Sequence, residues 1–253
     1  MISKAKIHYI RRFNDKSHRL IECAFVVEGT KMLAELLQQG TKFKVRELYA
    51  VTAWLYSHHL LLKDIPAIVE VSDEELSKIS MLQTPNQVLA IVEIPSTQML
   101  MPTSNSIHIL ADRIQDPGNL GTIIRLADWF GISQIVCNIG TVDVYNPKVV
   151  QATMGSIFRV NVVYMNLIEL LNAAIIPIYS CVLGGENFYE MELQTPCYVV
   201  LGNESMGISD EVLNKSTMGI SIPSYSLIGD GAESLNVAMA ASIVIAEFKR
   251  RLG

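Results

Sequence analysis

The stretch 116–133, DPGNLGTIIRLADWFGIS, decides the fold. Its apolar positions recur at helical spacing over 120–130, behind a turn rich in Gly and Asn. Apolar runs at 107–111 and 134–137 flank it and read as strands. Outward toward the C-terminus the alternation continues: a helix near 147–154, a strand at 160–164, a helix at 167–174, strands at 176–181, 198–201 and 219–222, and a last helix at 235–250. These strands are unbroken apolar runs, as a parallel sheet covered on both faces requires. The predicted class is α/β.

Outward toward the N-terminus a smaller α/β pattern precedes it. The segment FVVEG at 25–29 reads as a strand ending at glycine, and 31–38 as a helix closed by Gly40. Strand-like 48–51, helical 54–62 and strand-like 67–71 come next. A capping box at Ser72-Asp73-Glu74-Glu75 opens a short helix, and 87–93 is strand-like. Residues 95–106 carry two prolines and no charge, the mark of a linker. The expected division is a basic arm at 1–20, a small domain at 21–95, a linker at 96–106 and a second domain at 107–253.

The 253 residues are 50% apolar and 18% charged, against about 25% charged in soluble chains generally, with a mean hydropathy of +0.30. Such a chain buries much of itself in strands or at a subunit interface, and disorder is excluded as its main state. No run approaches the roughly 18 apolar residues of a bilayer span; the best, 237–246, contains Ser242. The N-terminus has charges on both sides of too few apolar residues for a signal peptide. A soluble, cytoplasmic protein with no membrane partner is expected.

A net charge of -5 conceals an uneven distribution. Residues 1–20 hold six basic groups (Lys4, Lys6, Arg11, Arg12, Lys16, Arg19) against Asp15, whereas 51–253 hold ten basic and twenty acidic groups. A basic arm on an acidic body suggests a phosphate contact, and a solvated helix face fits the charges equally. Cys23, Cys137, Cys181 and Cys197 form no CxxC pair and have no nearby histidine, so neither a zinc site nor a disulfide framework is expected, and no metal. All five histidines precede residue 109, so chemistry in the second domain must proceed without one.

The phosphate loop, the dinucleotide GxGxxG and HExxH are all absent. What remains are three loops, each after a strand of the second domain, where ligands sit in open α/β sheets. The first is Asp116-Pro-Gly-Asn-Leu-Gly121. Gly118 and Gly121 admit close backbone approach, Asn119 offers donors and an acceptor, and Arg125 lies one helical turn past Gly121. The second, 201–209, is LGNESMGIS, with Glu204 between two glycines and Ser209 placed to cap a helix. The third runs from Ile222-Pro223 through 224–231 to AESLNVA at 232–238. Each alone is also compatible with an ordinary turn or helix cap.

Together the three resemble the signature motifs of the SpoU/TrmH branch of the SPOUT RNA methyltransferases, in that family's order and spacing. Residues 20–95, with FVVEG and VLAIV at 88–92, are similar to the substrate-binding domain that precedes the methylase domain in rRNA-modifying members. The resemblance implies a methylase domain with a C-terminal trefoil knot, S-adenosylmethionine as cofactor, and a homodimer. Carried over residue by residue, the cofactor lies against Gly202, Asn203, Gly207, Ile222, Leu235 and Asn236, largely through main chain. The departure is the eight-residue 224–231 loop, longer than the pattern's; a lid or an RNA contact would account for it.

The implied reaction is methyl transfer to a ribose 2′-oxygen, most naturally in large-subunit rRNA. The resemblance gives Arg125 to the 2′-hydroxyl. Arg is a poor base, so positioning suits it better, with Asn119, Glu204, Ser234 and Asn236 fixing the Arg and ribose. In a composite site Arg125 would serve the partner subunit's cofactor. RNA is expected on Arg11, Arg12 and Lys16 of the arm with Arg113, Lys148 and Arg159. The competing readings are a tRNA 2′-O-methyltransferase, a relative that binds RNA without methylating, and a dinucleotide oxidoreductase, the last opposed by the missing GxGxxG.

Overall fold

The computed structural model describes residues 1–38, 41–225 and 233–252. The chain forms two compact units, one of Met1–Ser96 with Asp143–Arg159, the other of Thr97–Val142 with Val160–Gly253.

The first unit runs α1 (Lys4–Arg11), α2 (Lys16–Glu22), β1 (Ala24–Glu28), α3 (Thr30–Leu36), β2 (Val45–Ala50), α4 (Thr52–Ser57), β3 (Ile68–Glu70), α5 (Asp73–Ile79) and β4 (Val88–Glu93). Its sheet has the order β1-β4-β2-β3, with β4 antiparallel to both neighbours and β2 parallel to β3. Every residue of β1 is buried: Ala24–Val27 form an apolar run, and the Glu28 carboxylate at its end accepts the Ser80 hydroxyl and the Met81 amide. The expected capping box is formed: the Glu75 amide donates to the Ser72 hydroxyl and the Ser72 amide to the Glu75 carboxylate.

Three expectations change here. The arm is no free segment: α1 and α2 are joined by a 3₁₀ turn, Arg12–Asn14, Ile10 of α1 and Phe13 of the turn are buried, and part of the charge is spent inside the unit. Lys6 pairs with Glu47 at 2.7 Å, and Arg19, 2% exposed, donates to Asp143 Oδ2 from Nε at 3.0 Å and Nη2 at 2.5 Å. The helix expected over 54–62 stops at Ser57, where the Ser57 hydroxyl and the His58 ring both engage the Trp54 carbonyl and a 3₁₀ turn, His59–Leu61, follows. Residues 143–159 lie with the first unit: besides Asp143, the Tyr145 ring meets Phe25 at 4.6 Å, Phe158 meets Phe43 at 5.3 Å, and Arg159 pairs with Glu35 at 2.9 Å. Such contacts are set by tertiary packing and leave no local period.

Beyond residue 100 the elements are β5 (Ile107–Ala111), α6 (Pro117–Trp129), β6 (Gln134–Asn138), α7 (Pro147–Thr153), β7 (Asn161–Met165), α8 (Leu167–Asn172), β8 (Ile178–Asn187), β9 (Cys197–Leu201), α9 (Asp210–Leu213), β10 (Met218–Ser221) and α10 (Val237–Leu252). All but α7 belong to the second unit. Its six-stranded sheet, β10-β8-β9-β5-β6-β7, is parallel throughout. All five residues of β5 and of β9 are buried, and Leu110, Val136, Tyr198 and Val200 pack with Leu167 and Leu171 of α8 and Val212 of α9. The strand expected at 176–181 continues to Asn187. Its pairing with β10 skips from Ser180↔Gly219 to Glu186↔Ile220, leaving 181–185 as an excursion turned by Gly184 at φ +72°. The C-terminal ends of β5, β9 and β10 carry the three sequence-selected loops.

Candidate active site

Asp116 caps α6: its Oδ1 accepts the Asn119 amide at 2.8 Å, and Pro117 occupies the first helical position, where no donor is needed. Asn119 is thereby held on the first turn. Its Nδ2 donates to Glu204 Oε1 at 2.9 Å, and its Oδ1 accepts from Asn236 Nδ2 at 2.9 Å. Asn236 in turn accepts the Ala238 amide at 2.9 Å, capping α10. One amide side chain therefore ties the three loops together. Glu204 also receives the amides of Gln115 and Asp116, each at 3.4 Å.

The second loop is a tight closure. Asn203 and Gly207 exchange backbone hydrogen bonds at 2.9 and 3.0 Å, Asn203 Oδ1 accepts the amides of Ser205 and Met206, and Asn203 Nδ2 donates to the Arg113 carbonyl at 2.8 Å. Gly207 adopts φ +70°, a region open to glycine. Arg113 itself sits at φ +57°, unusual for a side-chain-bearing residue, and this conformation accompanies the bond its carbonyl accepts from Asn203 Nδ2.

The second and third loops line a cavity of about 740 Å³ within the second unit, and the first is tied to both through Asn119. It is lined by Gly202, Asn203, Glu204, Gly207, Ile222, Ser234, Leu235 and Asn236, all selected from sequence. Asn119 and Arg125 are absent from the lining. Arg125 is exposed on α6, and its side chain makes no hydrogen bond or ion pair among the described residues. Residues 226–231 of the long third loop lie outside the described residues. The sequence reading missed one wall: Cys181, Val182 and Leu183, in the β8 excursion. Only the paired glycines 184 and 185 hinted at an interruption there. Burial pushes the Cys181 thiol up to about 12, so it is neutral.

The lining combines apolar Val182, Leu183, Ile208, Ile220 and Val244 with the carboxylates Glu204 and Glu233, and among the described residues it contains no Lys, Arg or His. A cavity of this volume takes a cofactor-sized molecule. Its charge favours a ligand bearing positive charge and disfavours a pyrophosphate. Among the described residues no three His, Cys, Asp or Glu gather as metal ligands, and no helix is long and apolar enough to cross a membrane.

The candidate RNA contacts are dispersed. Arg11, Arg12, Lys16, Lys148 and Arg159 belong to the first unit and Arg113 to the second. Arg11 donates to the Lys78 carbonyl at 3.2 Å, and Arg159 is engaged by Glu35, so neither is a wholly available phosphate ligand. Arg12, Lys16 and Lys148 are exposed.

An all-parallel sheet whose three strand-end loops are cross-linked, two of them lining one cavity, defines a cofactor-dependent enzyme domain, and a smaller α/β unit precedes most of it in sequence. Residues 106–246 match the SpoU rRNA Methylase family model, and 4–90 match the MRM3-like substrate binding domain. The chain belongs to the SpoU rRNA methylase family. It is 30% identical to the 23S rRNA (guanosine(2553)-2′-O)-methyltransferase RlmP of Bacillus subtilis, across 95% of this chain and 94% of that one. Among solved structures, a putative RNA methyltransferase of the TrmH family from Porphyromonas gingivalis superposes with a TM-score of 0.84 at 35% identity, over 99% of each chain. The AdoMet-bound rRNA methyltransferase from Sinorhizobium meliloti does so at 0.86 and 28%, covering 100% of this chain and 97% of that one.

Proposed function

We propose that this protein uses S-adenosylmethionine to methylate a ribose 2′-hydroxyl of large-subunit rRNA. The observation that carries the reading is the hydrogen-bonded line Asn236–Asn119–Glu204, which joins three family motifs, two of them lining one cavity. The absence of cations from its lining suits a sulfonium and opposes the dinucleotide alternative. Gly202 and Gly207, with Ile222 and Leu235, are read as the main-chain cradle.

When bound, the cofactor supplies an electrophilic methyl group, transferred in line to an oxygen nucleophile. Arg125 orients the 2′-hydroxyl and its neighbouring phosphate. A guanidinium stays protonated, so the hydroxyl proton leaves late, to solvent. Asn119, Glu204, Ser234 and Asn236 hold the ribose and the Arg. Arg12, Lys16 and Lys148 grip phosphates, as does Arg113 in the second unit.

The same reading includes a cytoplasmic homodimer whose C-terminal segment is tied in the family's knot. On α6 and α10, Trp129 is 85% and Met239 61% exposed, apolar area that a second copy would cover. Arg125 lies outside the lining of its own cavity, which supports a composite site in which it serves the partner's cofactor. The test is transfer of tritiated methyl to rRNA: Arg125→Ala should lower turnover about 100-fold, the scale of a misplaced reacting group. Full turnover by Arg125→Ala would reject its role.

A further inference from the structure

Asp112, the first residue after β5, is fully buried, yet its carboxylate does not line the cavity. Burying a carboxylate costs several kcal/mol unless donors surround it. Here Oδ2 accepts both the Ser209 amide and the Ser209 hydroxyl at 2.7 Å. Oδ1 accepts Asn138 Nδ2 at 2.7 Å and lies 3.6 Å from Arg113 Nε. These donors come from the end of β6 and from the far end of the 202–209 loop.

The loop is therefore held at three points by one segment of chain. Its head is held where Asn203 Nδ2 reaches the Arg113 carbonyl, and its middle where Glu204 meets Asn119. Its foot is held by Ser209 on Asp112. Residues 202–208 between these anchors all line the cavity, so a shift of the foot changes the cavity wall. The room for such a shift is small, because the loop folds back on Gly202 with no space for a Cβ. A foot held only for stability could be packed with apolar side chains; a charge accepting two bonds from one serine fixes that serine's direction as well as its place.

We propose that Asp112 is a positioning residue for the cofactor cavity: through Ser209 it holds the 202–209 loop in its closed form without touching the ligand. This rests on the reading that the cavity takes S-adenosylmethionine. The full chain, Asp112→Asn, Ser209→Ala and the double variant are compared by calorimetry with S-adenosylmethionine, by thermal unfolding without it, and by hydrogen exchange of the Asn203 and Gly207 amides, also without it. Asp112→Asn should weaken cofactor binding at least tenfold and raise the cofactor KM by more than it lowers kcat. It should also speed exchange of both amides at least tenfold. Ser209→Ala should act in the same direction more weakly, and the double variant should fall short of the product of the two.

A lowered Tm with affinity and exchange both within twofold of the parent would reduce Asp112 to a structural role and overturn the proposal. If Asp112→Asn does not fold, Ser209→Ala decides by the same criteria. If the parent chain binds no S-adenosylmethionine, the functional reading fails, and the exchange rates alone decide whether Asp112 holds the loop.

Discussion

A Cβ at Gly202 would lie 2.5 Å from the Gly207 carbonyl carbon and 2.8 Å from its oxygen, distances that real side chains do not tolerate. Gly202→Ala should therefore open the loop and weaken S-adenosylmethionine binding at least tenfold by calorimetry, with the circular dichroism of the fold retained. His18 gives a different prediction. Burial, then the Arg12 charge, holds its imidazole below the usual 6.5, and Nε2 is buried without a partner among the described residues. Because the folded value lies below the unfolded one, the stability is complete above about pH 6.5 and is lost as pH falls through the folded value. His108, lowered by burial, has the same sign. Tm should drop between pH 7 and pH 5, and His18→Phe, placed beside Tyr9 and Phe13, should remove part of that slope. The variant should also raise Tm at pH 7 by a few degrees, since an orphaned polar atom costs about 1–3 kcal/mol. At this scale the motif residues were legible, because glycine, asparagine and acid types at fixed offsets announce close backbone approach. Asp112 was not, since a single carboxylate after a strand carries no period.

The elements fared differently according to whether local or distant forces end them. Strands β5, β6 and β9 stand within a residue of their expected positions because full burial writes itself as an apolar run. The 54–62 helix was cut short by a side-chain competition at Ser57 and His58. The excursion in β8 and the attachment of 143–159 to the first unit depend on partners far away in sequence. Helices α1 and α2 are the clearest case. The charge count was right, but tertiary pairing engages Lys6 with Glu47 and buries Arg19 against Asp143. Arg19→Ala should destabilise the first unit by about 3 kcal/mol in urea titrations by leaving Asp143 unpaired. Arg12→Glu with Lys16→Glu should instead spare stability and weaken rRNA binding. The slope of log K against log salt should then fall by about 0.7–0.9 for each phosphate that is no longer neutralised. An unchanged slope would make these helices a merely solvated face.

For the whole molecule, a net acidic body bearing local cations suits an enzyme that must hold RNA without trapping it. The apolar excess that first pointed to buried strands is accounted for largely by the parallel sheet, and the exposed Trp129 and Met239 are the area that the proposed second copy would cover. Trp129→Glu with Met239→Glu should shift the sedimenting species from dimer to monomer. The most direct test of the central claim is a ribose-methylation map of total RNA from cells with and without the gene. The account predicts that one 2′-O-methylated nucleotide of large-subunit rRNA disappears with the gene. The modification should return with the parent protein and stay absent with Arg125→Ala. An unchanged map, or loss of a base methyl group or of a tRNA ribose methyl group instead, would contradict it.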